Sequence, residues 1–108
     1  MEAWNVHLYS IPDTQPDQDS NRGLPYLGRI FLEDHMACAH LFGPAQRRGC
    51  DLRPCEDVRL TSAQVRELSS IFRTAAAQDR DEYGARQRIL DLLAGAEKSG
   101  AGLLSFCD

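Results

Sequence analysis

Cys38 and His40 stand two residues apart, and Cys50 and Cys55 follow them. Thiolates and an imidazole are the donors that zinc takes tetrahedrally. The set would assemble if a strand placed Cys38 and His40 on one face and the following segment folded back. However, the spacings C-x-H and C-x4-C are looser than paired zinc knuckles, and Cys38 has the apolar neighbours of a core residue. The expectation is therefore four free thiols and no cofactor. Zinc at Cys38, His40, Cys50 and Cys55 is the alternative.

Other chemistry has less support. None of the four cysteines sits in a glycine-rich elbow or at a clear helix start, where a thiolate nucleophile would be favoured. Asp34-His35 pairs an acid with a base, but adjacent residues generally point different ways, and a solvated hairpin tip is expected there. The glycines form neither a phosphate-binding loop nor a dinucleotide fingerprint. No catalytic residue is expected, and the functional candidates are binding residues. Asp13, Asp17 and Asp19 crowd a polar segment that serves either as a solubilising connector or as a steering patch for a basic partner. His7, Tyr9 and Tyr26 are the surface side chains best suited to join them.

These residues need elements to position them. Trp4 to Ile11 alternates, with Trp4, Val6 and Leu8 on one face and Asn5, His7 and Tyr9 on the other, as in a strand with one buried face. Residues 12–23 hold two prolines and no apolar side chain, which predicts an exposed acidic loop. Tyr26–Leu32 reads as a well-covered strand. Glu33-Asp34 then turns the chain into a hairpin partner, Met36–Phe42, stopped by Gly43-Pro44. A helix is the alternative over 36–42, and residues 44–59 read as a connection.

Thr61 and Gln64 fit a capping box, with Leu60 and Val65 at the positions of a hydrophobic staple. Val65, Leu68, Ile71, Phe72, Ala75 and Ala76 then recur at helical spacing. The polar stretch 78–82 predicts a break before a second helix carrying Tyr83, Ile89, Leu90, Leu92, Leu93 and Ala96. One helix bent near Gly84 is the alternative. Lys98 and Gly100 fit its C-terminus, and Leu103–Cys107 closes the sheet as a strand. The expected fold is α+β, in the order βββααβ, with two helices on one face of a small, mainly antiparallel sheet.

The chain has 108 residues, 43% hydrophobic and 26% charged, in the range of one globular domain with one core. No apolar run approaches a membrane span, and the N-terminus lacks the basic start and apolar stretch of a secretory signal, so a cytoplasmic location is expected. Net charge is −4, and residues 1–34 hold six acidic residues against two arginines. Such a field repels phosphate backbones and favours a basic protein partner over nucleic acid.

The N-terminal third combines Trp4-Asn5-Val6-His7-Leu8-Tyr9 and Ile11-Pro12, an acidic loop, then Leu24-Pro25-Tyr26-Leu27-Gly28-Arg29-Ile30 and Leu32-x-Asp34. Over about the first 40 residues it resembles small immunity proteins of contact-dependent growth inhibition systems, whose chains often open with a strand, a loop and a YxGRIxxxD-like strand. The aromatic-rich region expected next is replaced by Cys38–Cys55, rich in Arg, Gly and Pro, so no partner-binding residue is carried over. The resemblance implies a stoichiometric inhibitor that occludes a toxin domain, often a nuclease with a basic cleft. A phage-encoded inhibitor of host defence has the same physical profile, and a small zinc-binding or thiol-dependent regulatory protein is the reading from a different class.

Overall fold

The computed structural model describes residues 5–18, 20–50, 52, 57–75 and 80–107. Its elements are strands β1 (Asn5–Ile11) and β2 (Tyr26–Phe31), helices α1 (Leu32–Ala37) and α2 (Ala39–Arg47), strand β3 (Val58–Leu60), helices α3 (Ser62–Thr74) and α4 (Arg80–Lys98), and strand β4 (Gly102–Cys107). The four strands form one antiparallel sheet in the order β2-β1-β4-β3. The class is α+β, as expected, but the element order is not βββααβ.

Alternation along β1 decides what lies on each side of the sheet. Val6 and Leu8 are buried, while His7 and Tyr9 are half-buried. Val6 is opposite Ile30, and Leu8 is opposite Gly28 on β2 and Ser105 on β4, so these residues share a face. With Leu60 and Leu103 they join one core cluster containing Leu41 and Phe42 of α2, Val65, Leu68 and Phe72 of α3, and Ile89, Leu93 and Ala96 of α4. Ser105 is polar within this apolar layer because it holds β3: its Oγ accepts from the Val58 amide at 3.1 Å and donates to the Val58 carbonyl at 3.3 Å. Trp4, expected on the buried face, lies outside the described residues.

The largest correction concerns residues 32–47. Met36–Phe42 is not a hairpin strand but part of two short helices that meet at Cys38. Cys38, Leu41, Phe42 and Ala45 are buried at i, i+3, i+4 and i+7, one stripe of a helix. Gly43-Pro44 does not stop the chain, because α2 runs through Pro44 to Arg47. Proline crowds the residue before it out of helical conformation, and glycine in that place avoids the crowding. The true stop is Gly49, at φ +74°, where the Gly49 and Cys50 amides donate to the Gln46 and Ala45 carbonyls.

Two further differences follow from pairing. β2 is an edge strand with Tyr26, Arg29 and Phe31 exposed, not a well-covered one. Val58–Leu60, read as the end of a connection, is a strand because β4 supplies its ladder.

The helical readings from Thr61 onward hold. Thr61 Oγ1 accepts from the Gln64 amide at 3.2 Å, and Gln64 Oε1 accepts from the Thr61 amide at 2.7 Å. Ala75 is extended at φ −76°, ψ 142°, so α3 and α4 are separate helices. Ala76, expected on the apolar stripe of α3, is outside the described residues. Tyr83, expected among the apolar positions of α4, is instead 56% exposed, and Glu82 and Arg86 are the buried side chains of that turn. Gly100, at φ +67°, closes α4, with the Ala101 amide donating to the Ala96 carbonyl. Among the described residues no helix is long and apolar enough to cross a membrane.

Candidate interaction surface

The strand residues that do not face the core gather on the other side of the sheet. Arg29 on β2 and Phe106 on β4 flank His7; Tyr26 on β2 and Leu104 on β4 flank Tyr9; Arg59 of β3 is opposite Leu104. Phe31 is opposite Asn5 at the far end of β2. Among the described residues the core cluster draws no member from this set, and the helices lie on the other face. The rings touch one another: Tyr9 and Tyr26 centroids are 5.1 Å apart, Tyr9 and Phe106 5.9 Å, and His7 and Tyr26 5.9 Å. His7 Nδ1 is 2.9 Å from the Tyr26 hydroxyl. Arg29 lies over Phe31, with its guanidinium carbon 4.7 Å from the ring centroid. The result is a continuous aromatic surface with cationic side chains at two corners. Tyr26 is 53% exposed and Phe31 37%, so much apolar area faces solvent.

The acidic loop borders this surface, and hydrogen bonds rather than apolar burial order it. Arg59 donates to Asp17 and also reaches the Pro12 carbonyl at 3.1 Å and the Gln15 carbonyl at 2.7 Å. Asp13 accepts from the Ser62 amide at 2.8 Å and the Ser62 hydroxyl at 2.5 Å, which ties the loop to the start of α3. Those two hydrogen bonds hold the Asp13 carboxyl below the usual carboxylate range. On the other side of the loop, Asn21 donates to the Tyr9 hydroxyl at 2.6 Å. Asp17 remains 88% exposed despite its pairing. The structure therefore brings five of the six candidate binding residues near one another, His7, Tyr9 and Tyr26 on the open sheet face and Asp13 and Asp17 in the loop at its border. The sixth, Asp19, is outside the described residues.

Arg29, Phe31, Arg59 and Phe106 complete the surface and were not singled out from sequence. Leu104 and Phe106 alternate with Leu103 and Ser105, and that period of two was the signal available for Phe106. Arg59 carried none, because its role depends on contacts more than forty positions away.

Among the described residues the candidate zinc ligands are not assembled. Cys38 and Cys50 are buried in the core, with Cys50 Sγ 3.6 Å from the Ala45 carbonyl oxygen, while His40 Nε2 pairs with Glu82. Cys55 is outside the described residues, and among those described no group of three His, Cys, Asp or Glu could hold a metal ion. Burial pushes the Cys38 thiol up to about 11, with the nearby Glu82 carboxylate acting in the same direction. That thiol is a poor nucleophile at neutral pH.

Asp34 and His35 do not form a solvated hairpin tip. Both are buried on α1 and point apart, as adjacent residues do. Asp34 takes a two-pronged bond from Arg88 at 2.8 Å on each oxygen, and His35 stacks on Phe42 at 4.2 Å and 2.5 Å from the Leu52 carbonyl oxygen. Glu82, 2% exposed, pairs with Arg86 and His40, and Arg86 also donates to the carbonyl of Ala75 at the end of α3. These polar groups tie α1, α2 and the end of α3 to α4.

Comparison with protein-family models, curated proteins and solved structures gives no match.

Proposed function

We propose that this chain is a non-catalytic, protein-binding inhibitor that occludes a basic partner through the open face of its sheet. The observation that carries the reading is the aromatic surface of Tyr9, Tyr26, His7 and Phe106, bordered by the Asp13–Asp17 loop. Tyrosine and arginine are among the side chains enriched at binding hot spots, and aromatic rings held by strands give contact area at little entropic cost. The net charge of −4 supplies the long-range attraction to a positively charged partner and opposes a nucleic-acid backbone. Taken with the N-terminal resemblance, this supports an immunity protein that neutralises a bacterial toxin, such as a nuclease with a basic cleft, in the cytoplasm of the cell that makes it.

The test begins with native mass spectrometry of the chain purified together with the products of its neighbouring genes. A stoichiometric complex with a basic protein is expected. Tyr26→Ala should then weaken that complex by about thirtyfold, the effect of losing a hot-spot side chain worth roughly 2 kcal/mol. A complex that forms equally well with Tyr26→Ala and Phe106→Ala would remove the sheet face from the account. Retention of single-stranded nucleic acid instead of protein would show that the rings stack on bases.

A further inference from the structure

A second recess lies behind the same loop, away from the aromatic rings. Pro12, Leu24, Pro25, Leu27 and Ala101 wall a cleft of about 680 Å³, with Asp13 on its rim. This volume falls within the range of sites that enclose a small ligand. The walls are predominantly apolar, but two features give the cleft a negative polarity. One is the Asp13 carboxylate, whose two hydrogen bonds come from Ser62. The other is the C-terminal end of α4, a 19-residue helix, since Ser99, Gly100 and Ala101 also line the cleft. The C-terminal end of a helix carries a partial negative charge that favours cations within its last turn. Lys98, the basic residue of that turn, is exposed and does not line the cleft.

We infer that this cleft is a socket for one arginine side chain presented by the partner. Its methylenes would lie on Pro12, Leu24, Pro25 and Leu27, and its guanidinium would sit between Asp13 and the end of α4. Charge complementarity selects this occupant: an apolar side chain would gain nothing from the charge of the carboxylate, and an acidic one would be repelled by both negative features. Arginine fits better than lysine because its planar head is weakly hydrated and binds a carboxylate in two-pronged fashion. The inference rests on the docking reading above, because it assigns the occupant to a partner protein. The loop then borders both the open sheet face and the cleft, with Asp17 paired to Arg59 of β3 and Asp13 on the rim of the socket.

The test needs no partner and so fails independently of that reading. Backbone amide spectra of the full chain are titrated with N-acetyl-arginine amide, with the neutral isostere N-acetyl-citrulline amide, and with free arginine. Saturable shifts at Leu24, Gly95 and Ala101 are expected for the arginine amide, with citrulline bound about tenfold more weakly, as befits loss of a charged hydrogen bond. Asp13→Asn, which keeps an acceptor for Ser62 and hence the fold, should abolish that discrimination, and Ser99→Leu should block binding with the melting temperature retained. Equal binding of citrulline, shifts confined to Tyr9 and Tyr26, or no saturable shift would each overturn the socket. Tighter binding of free arginine than of the blocked amide would overturn the partner as its source.

Discussion

Gly102→Ala and Gly84→Ala add the same methyl group at two places where the structure predicts opposite signs. At Gly102 the methyl would overlap the Leu60 carbonyl oxygen and lie 2.9 Å from the Thr61 carbonyl carbon and 3.0 Å from its Cα. All three obstacles are backbone, so relief requires β3 to move away from β4. Forced overpacking costs about 1–3 kcal/mol, and a collision with backbone places this one at the upper end, about 3 kcal/mol. β3 also carries Arg59, so its displacement should loosen residues 12–17. At Gly84 the nearest atom is Nη1 of Arg88, 3.4 Å away and at ordinary contact distance, and replacing a mid-helix glycine stabilises by about 0.5–1 kcal/mol. Urea unfolding at 25 °C reads both. With a slope of roughly 1–3 kcal/mol per molar urea, the Gly102→Ala midpoint should fall by about 1–3 M and that of Gly84→Ala should rise slightly. Equal midpoints for wild type and Gly102→Ala would refute the close approach of β3 and β4, and with it the placement of Arg59.

Other perturbations address the loop and the buried polar groups. Arg59→Ala should accelerate amide hydrogen exchange over residues 12–18 while leaving α4 protected, since its contacts with Asp17 and the Pro12 and Gln15 carbonyls hold the loop. Glu82→Ala should cost about 3–5 kcal/mol by leaving Arg86 charged and buried. The double change Glu82→Leu with Arg86→Met should cost much less, and thermal melts of the pair decide it. Cys38 has a folded pKa of about 11 against 9.0 for a free thiol, so its contribution to stability is present below pH 9 and is lost as pH rises toward 11. That loss amounts to roughly 2–3 kcal/mol and should be absent in Cys38→Ala. Iodoacetamide at pH 8 should leave Cys38 unmodified until the chain unfolds, as peptide mapping would show.

The parts of this fold readable in sequence are those specified by neighbours in the chain. β1 was legible because Val6 and Leu8 alternate with His7 and Tyr9, and the same alternation pointed to His7 and Tyr9 as surface residues. Helix α3 was legible because Thr61 and Gln64 satisfy each other's amides locally. Residues 36–47 were misread because a short apolar run carries the same composition in a strand or a buried helix. Gly43-Pro44 then looked like a stop, although a glycine before proline is compatible with a continuing helix. β3 has no pattern of its own and exists through Ser105 and the β4 ladder. The loop was expected to stay loose for want of apolar side chains, yet a distant arginine orders it. The acidic residues and tyrosines were thus named singly as candidates, and their neighbourhood with Phe106, Arg29 and Phe31 required strand register.

The central claim, that the open sheet face docks a protein, is tested most directly by site-specific photocrosslinking in cells that naturally make the chain. A benzophenone amino acid is placed at Tyr26 on the aromatic face and, in a separate variant, at Asp91, an exposed position of α4. One basic protein crosslinked from position 26 and absent from position 91 is the predicted result. Crosslinks from position 91 alone, or to nucleic acid at position 26, would contradict it.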